Sequence, residues 1–371
     1  MEYRLDELFD LQMGKTPSRN NSEYWNSKGN KWISIGDLTR CGKYINETKE
    51  FLTNKAVEES GISLIPANTV IMSFKLSIGK TAITSEPMYS NEAIMSFRDK
   101  HLIKLLPDYI YYLFLWKKWD IGVNKAVMGK TLNKATLSGI KISIHDYMKQ
   151  KEIVEVLDKV KVIIDNRKKQ IEELDALIKA RFVEMFGDMA DPKCEHLKYK
   201  LVEVCMNPDD IKCGPFGTQL NKDEYQTNGI AVWEIPQINS GFIKMPTHFL
   251  SNEKAEQLKA YSIEPGDIAM SRKGNVGKCG LFPLNYEKGI IHSDVLRIRV
   301  DHNRVNPCFL MHQFHYSGAI QRQIEMISSG AIMAGINVTK LKQIEIHIPD
   351  LEIQNKFATF VHQTDKLKVA A

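Results

Sequence analysis

The 371-residue sequence lacks the short motifs that identify many enzymes. It has no S-adenosylmethionine loop of the Phe-x-Gly-x-Gly kind, no Asn/Asp-Pro-Pro-Tyr/Phe methylation motif and no Gly-x-Ser-x-Gly nucleophile elbow. A metal nuclease would need Pro-Asp followed by Asp/Glu-x-Lys, and Pro107-Asp108, Pro208-Asp209 and Pro349-Asp350 all lack the second part. These absences favour a chain without catalysis of its own. A methyltransferase or nuclease with unrecognised motifs stays an alternative.

Cysteine is scarce, and the six cysteines form no Cys-x-x-Cys pair. Together with the absence of a recognisable signal peptide, this predicts a reducing, cytoplasmic location. Cys194, His196, Cys205 and Cys213 could bind zinc, but their spacing matches no standard site, so unrelated core or surface positions are favoured. His312-x-x-His315 has metal-like spacing on a predicted helix, where packing is the favoured role.

Long apolar runs and strong charge are also missing. No apolar run approaches the 18 residues of a membrane span. The net charge of +5 is mild, and contents of 43% hydrophobic and 26% charged residues are typical of a globular protein. Any nucleic-acid contact must therefore be local.

Gly-Lys-Thr occurs three times, at Gly14–Thr16, Gly79–Thr81 and Gly129–Thr131. This tripeptide ends a phosphate-binding loop, which also needs a glycine five residues before the Gly-Lys pair. Phe9, Phe74 and Asn124 stand there instead. Glycines that only turn the chain are favoured over a nucleotide site.

A repeat of about 200 residues explains the recurrence better. Five blocks recur in the same order at offsets of 198 to 204 residues. The paired positions are Trp32 with Trp233, Leu52 with Leu250, Pro66 with Pro265, Gly79 with Gly277, Asn133 with Asn337, and Gln150 with Gln354. The chain is thus predicted to be a tandem duplication in which a globular unit is followed by a helix, twice.

Each globular unit is predicted to be mixed. Strands are predicted at 69–74, 93–98, 267–272 and 295–300. Helices are predicted to begin at Pro107 and at Pro307, the second continuing to Ile324. Their aromatic residues are expected in the core rather than as base-stacking platforms: Tyr111, Tyr112, Phe114, Trp116, Phe309 and Phe314.

A long helix is predicted between the units, because residues 150–186 contain no proline or glycine. Eight of its ten heptad a and d positions are apolar, which is typical of a coiled coil. These positions are 153, 157, 160, 164, 167, 171, 174, 178, 181 and 185. Such a helix would be a rod of roughly 55 Å. A shorter second helix with Ile353, Phe357, Phe360, Val361 and Leu367 is expected to pair with it in an antiparallel coiled coil.

The order of these motifs resembles the specificity subunit of type I restriction-modification enzymes. The resemblance rests on "GKTPSRNNSEYWNSKGNKWISIGDL", "LIPANTVIMSFKLSIGKTAI" and "HDYMKQKEIVEVLDKV" and covers nearly the whole chain. It implies two target recognition domains (1–148 and 189–350), a central spacer helix (149–188) and a short second one (351–371). The family's second helix is usually comparable to its first, so a truncation or a natural short allele is expected here.

The resemblance also implies a function. Each unit would read one half of a split double-stranded DNA target, and the helices would fix the gap and dock methyltransferase subunits. A restriction and translocation subunit would join the complex. S-adenosylmethionine, ATP and Mg²⁺ would be bound by those partners and not by this chain. A protein-binding scaffold without DNA recognition remains an alternative.

Candidate DNA contacts are polar and basic residues on predicted loops, since such side chains bind phosphates and base edges. In the first unit they are Ser18, Arg19, Asn20, Lys75, Ser77 and Lys80. In the second they are Gln219, Asn221, Arg272, Lys273, Asn275 and Lys278. Solvated surface positions are an equally simple interpretation of any one of them.

Overall fold

The computed structural model describes residues 1–26, 28–75, 77–119, 124–126, 129–187, 189, 196–328 and 335–370. The chain forms two compact units, Met1–Asp165 and Asn166–Ala371. Both mix helix with strand, and one 40-residue helix, Tyr147–Phe186, lies between the two globular regions. The predicted α+β class with a long interdomain helix is therefore confirmed. The finer domain boundaries stay a prediction.

The first unit begins at the N-terminus and includes the start of the long helix. Its strands are Glu2–Arg4 (β1), Phe9–Met13 (β2), Trp25–Asn26 (β3), Asn30–Ile33 (β4), Tyr44–Ile45 (β5), Glu50–Leu52 (β6), Val70–Ser73 (β7), Thr81–Thr84 (β8), Tyr89–Ser90 (β9), Ile94–Asp99 (β10), Asn124–Ala126 (β11), Gly129–Thr131 (β12) and Lys141–Ser143 (β13). Its helices are Leu5–Leu8 (α1), Ile35–Arg40 (α2), Asn54–Ser60 (α3), Pro107–Trp116 (α4) and Lys134–Ser138 (α5), with a 3₁₀ turn at Ser22–Tyr24. The long helix Tyr147–Phe186 (α6) begins in this unit and ends in the second.

The second unit repeats much of this order. Its strands are Leu197–Lys200 (β14), Ile211–Cys213 (β15), Ile230–Trp233 (β16), Phe249–Leu250 (β17), Ser262–Ile263 (β18), Ile268–Ser271 (β19), Cys279–Leu281 (β20), Gly289–Ile291 (β21), Val295–Ile298 (β22) and Glu345–Ile348 (β23). Its helices are Ile235–Asn239 (α7), Asn252–Gln257 (α8), Pro307–Tyr316 (α9), Gly318–Ser328 (α10), Val338–Leu341 (α11) and Leu351–Ala370 (α12). The 3₁₀ turns are Leu201–Val204, Pro208–Asp210, Gly217–Gln219, Lys222–Glu224 and Lys259–Tyr261.

The same main sheet is built in both units. The first has the order β2-β10-β7-β8-β5 and the second β15-β22-β19-β20, with antiparallel pairing of the strands common to both. A second sheet stands beside each, in the orders β3-β6-β4-β9 and β17-β16-β21-β18. Strands buried on both faces, such as β7 and β19, read as the continuous apolar runs that predicted them.

Backbone contacts confirm the duplication at several predicted pairs. Gly79 N donates to Ser73 O, and Gly277 N donates to Ser271 O in the same way. Asn133 and Asn337 each cap a short helix, accepting from the amide three residues on. Leu52 pairs with Asn30 as Leu250 pairs with Ile230.

The predicted equivalence of Trp32 with Trp233 in the two units is wrong by one residue. Trp32 lies opposite Tyr89, whereas Val232 lies opposite the equivalent Ile290, so Trp32 corresponds to Val232. Trp233 corresponds to Ile33, which points to the other face of the strand. Pro66 and Pro265 are also one residue out of register, because Asn68 N and Gly266 N make the equivalent bonds to Thr84 O and Phe282 O.

Two helix predictions need correction. The helix from Pro307 ends at Tyr316, because Ser317 is extended (φ −80°, ψ 110°) and a new helix begins at Gly318. Glycine favours such a break over helix interior. Tyr111, Phe114, Phe309 and Phe314 are buried and Tyr112 packs at the core edge as predicted, but Trp116 is 82% exposed at the end of α4.

A buried glutamine ties each long helix to its globular region. Gln150 Oε1 accepts from Leu106 N, and its Nε2 donates to Lys104 O and His145 O. Gln354 repeats this pattern: Oε1 accepts from Asn306 N, and Nε2 donates to Arg304 O and Pro349 O. Each amide is therefore fully engaged just before α4 or α9.

The helices α6 and α12 pair in antiparallel fashion within the second unit. Phe182 stacks edge-on against Phe357 with centroids 5.4 Å apart, and Asp175 binds Lys368 at 2.7 Å. The buried line of α6 runs through Ile178, Phe182 and Phe186. The predicted seam positions 181 and 185 are thus displaced by one residue, since α9 also packs there through Phe309. The earlier seam positions Val160, Ile164 and Ile171 are exposed.

Replacing Gln354 by leucine should lower the free energy of unfolding by about 2–4 kcal/mol, because Asn306 N and two carbonyl oxygens lose a buried partner. Chemical denaturation of the full chain would measure it. Gln363→Leu is the matched control, since Gln363 is exposed on the same helix and should change stability by less than about 0.5 kcal/mol. Equal effects of the two substitutions would contradict the role of this contact.

Candidate nucleic-acid interface

In each unit, several loops begin or end at the same end of the main sheet. In the first unit β2 ends at Met13, β7 ends at Ser73 and β10 begins at Ile94, and the strand register brings these three ends side by side. The loops 14–20, 74–80 and 91–93, Leu76 aside, form what we call the first loop edge. The equivalent loops 214–221, 272–278 and 292–294 form the second loop edge. All twelve predicted DNA contacts lie on these loops.

On the first loop of this edge, the predicted contacts Ser18 and Asn20 are exposed, whereas the Arg19 side chain already has partners within the chain. The Arg19 guanidinium forms a two-pronged ion pair with Glu50 and lies 3.8 Å from the centroid of the Trp25 ring. Ser18 contributes its carbonyl oxygen to Trp25 Nε1. In this conformation the arginine supports the loop, and Ser18 and Asn20 offer free side-chain surface.

The glycine turn of the first loop edge is held from both sides. Ser73 Oγ donates to Ser77 O, and Lys80 Nζ donates to Thr39 Oγ1 at the end of α2. Lys75 is half-exposed, with its amine 5.3 Å from the Phe74 ring centroid. Its charge is therefore the least committed of the cations at this edge.

The second loop edge has a parallel construction. Lys278 Nζ donates to Asn239 O at the end of α7, the counterpart of the Lys80 contact. Lys273 Nζ lies 2.9 Å from Asp294 Oδ1. Arg272 Nε donates to Ile336 O, and its guanidinium covers the Phe216 ring at 4.8 Å. Asn275 stands exposed at the tip of the turn.

Gln219 and Asn221 flank this edge and differ in availability. Gln219 is exposed, but its Oε1 already accepts from both Phe216 N and Tyr261 Oη, at 3.1 Å each. Asn221 is exposed, and its backbone amide is capped by Glu224. Both residues follow Gly214, as Ser18 and Asn20 follow Gly14.

A match to a known protein family accounts for this duplicated arrangement. The family model of the type I restriction modification DNA specificity domain matches residues 1–176 and 209–370. The chain belongs to this family. Both matched ranges contain one complete loop edge.

Two specificity subunits of type I restriction enzymes are similar to this chain in sequence. The type I restriction enzyme MjaIX specificity subunit of Methanocaldococcus jannaschii is 28% identical over 200 residues, which cover 53% of this chain and 46% of the relative. The EcoR124I/EcoR124II specificity subunit of Escherichia coli is 29% identical over 161 residues, which cover 42% of this chain and 39% of the relative. Each match thus spans less than half of the relative's length.

Solved structures share the fold at low sequence identity. The S subunit of a type I restriction-modification system from M. genitalium has a TM-score of 0.57 and 14% identity, covering 100% of this chain and 90% of that one. A chain from a study of complex assembly and conformational transition of the type I R-M system has a TM-score of 0.53 and 17% identity, covering 100% and 91%.

The family fold explains the recurring Gly-Lys-Thr without a nucleotide. A Cβ on Gly14 would lie 2.2 Å from Ser90 O, and one on Gly214 would lie 2.3 Å from Ile291 O, so both positions require glycine for a close backbone approach. Gly79-Lys80-Thr81 leads into strand β8, and Gly129–Thr131 is itself strand β12. A phosphate-binding loop would lead into a helix.

The described members of the suggested zinc group, His196, Cys205 and Cys213, do not form a metal-binding group. Cys194, a member of the suggested zinc group, lies outside the described residues. Within them, no group of three or more His, Cys, Asp or Glu side chains is placed to hold a metal ion. Burial raises the pKa of Cys205 to about 12, which keeps the thiol protonated. The described residues also include no helix long and apolar enough to cross a membrane.

Three residues of the second loop edge escaped sequence reasoning. Phe216 is 45% exposed beneath Arg272, and His292 and Asp294 close the edge next to Lys273. An aromatic ring and an Asp-paired lysine are ordinary loop residues in sequence, so only the sheet register reveals that they meet. The alignment of 292–294 with 91–93 comes from the strand register of the two main sheets, and none of the five sequence blocks contains these residues.

Alanine at Gly277 should destabilise the second unit more than alanine at Gly274. Both glycines have left-handed backbone (φ 82° and 70°), which costs an alanine about 1–2 kcal/mol. A Cβ at Gly277 would also lie 2.9 Å from Ile324 Cγ2, whereas one at Gly274 meets nothing within 4 Å. Denaturation should therefore show at least about 1 kcal/mol of additional loss for Gly277→Ala. Equal losses would show that packing against α10 does not define the turn.

His312 should make the folded chain less stable in mild acid. Burial lowers the pKa of His312 to about 4, below the value of about 6.5 in an unfolded chain. The unfolded state therefore binds the proton first, and stability falls as the pH drops from 6.5 towards 4. Between pH 7 and pH 5 this residue should account for about 2 kcal/mol. Denaturation of the His312→Gln variant should show a pH dependence that is weaker by that amount, and an unchanged dependence would contradict it.

Proposed function

We propose that this chain is the DNA-binding specificity subunit of a type I restriction-modification complex and has no catalysis of its own. Each unit would read one half of a split double-stranded target through its loop edge. The regions 1–148 and 189–350 would be the two target recognition domains. The helical regions 149–188 and 351–371 would fix the gap and dock methyltransferase subunits.

The observation that carries the proposal is that one polar loop edge is built twice. Both edges place a lysine on the same glycine turn (Lys80 and Lys278) and exposed amide or hydroxyl side chains on the loop after the equivalent Gly14 or Gly214. Lysines suit phosphate oxygens, and amide groups suit base edges. Two equivalent readers in one chain match a target with two separate halves.

The contacts within each edge suggest separate roles for its residues. Arg19 and Arg272 lie on aromatic rings and bind backbone or carboxylate groups, so they would shape the loops. The more exposed Ser18, Asn20, Asn221 and Asn275 would face the DNA. Lys75, Ser77, Lys80, Gln219, Lys273 and Lys278 would contact the DNA backbone. Of these, Lys80, Lys273 and Lys278 would each exchange an internal partner for a phosphate.

The expected partners follow from membership of the family. We infer association with methyltransferase subunits and, through the complex, with a restriction and translocation subunit. Those subunits would bind S-adenosylmethionine, ATP and Mg²⁺. We place the chain in the cytoplasm, where that DNA and those subunits would be available.

Selection from a random duplex pool would test DNA reading, using the full chain alone and with the methyltransferase subunit. A split consensus with a fixed gap is expected in the presence of the partner. A pool without any selected sequence under either condition would favour the protein-binding scaffold. Methyl transfer by the purified chain alone, with S-adenosylmethionine, would instead support a hidden enzyme.

Replacing Asn275 by alanine should relax base preference in one half of the selected target and leave the other half unchanged. Asn275 is exposed at the second loop edge, so its loss should cost about 1–3 kcal/mol of discrimination at one base pair without unfolding the unit. Asn303→Ala is the matched control, because Asn303 is an exposed asparagine of the same unit beyond the opposite end of β22. Equal loss of preference in both halves would contradict independent reading.

A further inference from the structure

Four large apolar side chains of the first unit are exposed on α4 and on the first half of α6. Trp116, the last residue of α4, is 82% exposed. On α6, Val156, Val160 and Ile164 are 59%, 45% and 45% exposed. Because these three residues are spaced four apart, they lie on one side of the helix. A row of large exposed apolar side chains usually marks a surface that another molecule covers.

The helices α4 and α6 lie side by side in the first unit. Tyr112 Oη donates to Asp158 Oδ1, and Gln150 on α6 accepts from the backbone amide immediately before α4. The equivalent pair in the second unit is α9 and α12, where Gln354 makes the same contact to the amide before α9. This shared contact fixes which residues of the two helix pairs correspond.

Four equivalent positions follow from this register. Both α4 and α9 are ten residues long and begin at proline, so Trp116 corresponds to Tyr316. The offset of 204 residues between the two glutamines pairs Val156, Val160 and Ile164 with Phe360, Thr364 and Lys368. At three of the four positions the first unit is the more apolar: it has tryptophan for tyrosine, valine for threonine and isoleucine for lysine.

In the second unit this surface is covered by a helix. Phe182, near the end of α6, has its ring centroid 5.6 Å from that of Tyr316 and 5.4 Å from that of Phe357. Thr364 is only 3% exposed, whereas its counterpart Val160 is 45% exposed. The first unit therefore leaves bare, and makes more apolar, a surface that the second unit buries. A surface that met only water would be expected to differ in the opposite direction.

The covering helix of the second unit indicates what the bare surface can accept. It runs antiparallel to α12 and buries Phe182 and Phe186, which are four residues apart, against α9 and α12. Its Asp175 binds Lys368 at 2.7 Å, but Ile164 stands in place of that lysine in the first unit. The fitting occupant is thus an antiparallel helix that has large apolar residues at i and i+4 and needs no acidic residue.

We propose that the surface formed by Trp116, Val156, Val160 and Ile164 binds an amphipathic helix of a partner protein. The helix would run antiparallel to α6 and present aromatic or large aliphatic residues four positions apart. Trp116 would be its anchor, because buried aromatic residues contribute most of the binding energy in such helix-in-groove contacts. The proposal depends on the duplication within the chain and not on DNA reading, so it can fail while the function proposed above stands.

A synthetic peptide copied from the covering helix tests this surface. The peptide has the sequence of residues 170–187 with Asp175→Leu and carries fluorescein at its N-terminus, and a second peptide also carries Phe182→Glu. Binding to the full chain, without DNA or other subunits, is measured by fluorescence anisotropy. Trp116→Ala and Val160→Glu alter the surface. Val162→Glu is the matched control, because Val162 is 57% exposed and lies on the opposite side of α6.

The first peptide should bind the unmodified chain at least about tenfold more tightly than the second, because the glutamate of the second would be buried against apolar side chains. Trp116→Ala and Val160→Glu should each weaken binding of the first peptide about tenfold, and Val162→Glu should leave it unchanged. All three substituted positions are exposed, so circular dichroism should show folded variants. Equal binding of the two peptides, or unchanged binding to the Val160→Glu variant, overturns the proposal. So does a dimer of the unmodified chain that Val160→Glu dissociates in light scattering, because a second copy would then be the occupant.

Discussion

The attachment of each long helix to the globular region that precedes it depends on one buried glutamine. Gln150 and Gln354 each satisfy the amide that precedes a proline-initiated helix and two carbonyl oxygens of the adjoining chain. No other side chain of that size could accept one bond and donate two at the same place. Since α4 and α9 pack directly on the main sheets, this contact sets the helix against the sheet whose far edge carries the loops. The side-chain amide of each glutamine therefore helps to position the sheet that carries the candidate interface, although the amide lies far from the loops.

Sequence reasoning located this contact without knowing what it does. The pairing of Gln150 with Gln354 followed from the repeat, as did Asn133 with Asn337 and Gly79 with Gly277. Such residues recur because a specific backbone geometry needs them: a cap needs a short polar side chain, and a left-handed turn needs glycine. Their identity survives divergence, so two distant copies can be aligned on them.

Apolar residues were less reliable than these polar residues and glycines for deciding which positions of the two units correspond. Trp32 and Trp233 were paired because tryptophan is rare, yet they lie on opposite faces of equivalent strands. Both faces of that strand are buried, so a large side chain can move from one cluster to the other while the core stays filled. The helix seam failed for a related reason. Heptad spacing assumes one partner helix, whereas α6 ends between α9 and α12, and burial follows Phe182 and Phe186.

The candidate DNA contacts mark the limit of what the sequence can predict. Residue type and loop position selected all twelve, and the sheet register gathers them into two edges. The sequence does not show that Arg19 is already paired with Glu50, or that Lys80 and Lys278 reach the ends of α2 and α7. Those partners lie 31 to 41 residues away along the chain, and only the folded strands bring them close.

A duplicated chain also shows which contacts recur in both copies and which have been rebuilt in one of them. Where a residue and its partners recur together, as with the glutamines, the fold explains them. Arg98 and Arg299 differ: the arginine recurs, but the carboxylates of Asp267 and Glu264 do not. Asp10 stands opposite Arg98 in the β2–β10 pair, so a carboxylate on the neighbouring strand remains beside this arginine although threonine replaces the buried one. The arginine is thus kept in both units with different neighbours, Leu64 O and Asp10 in the first and Asp267 with Glu264 in the second, because the surrounding strand positions have diverged.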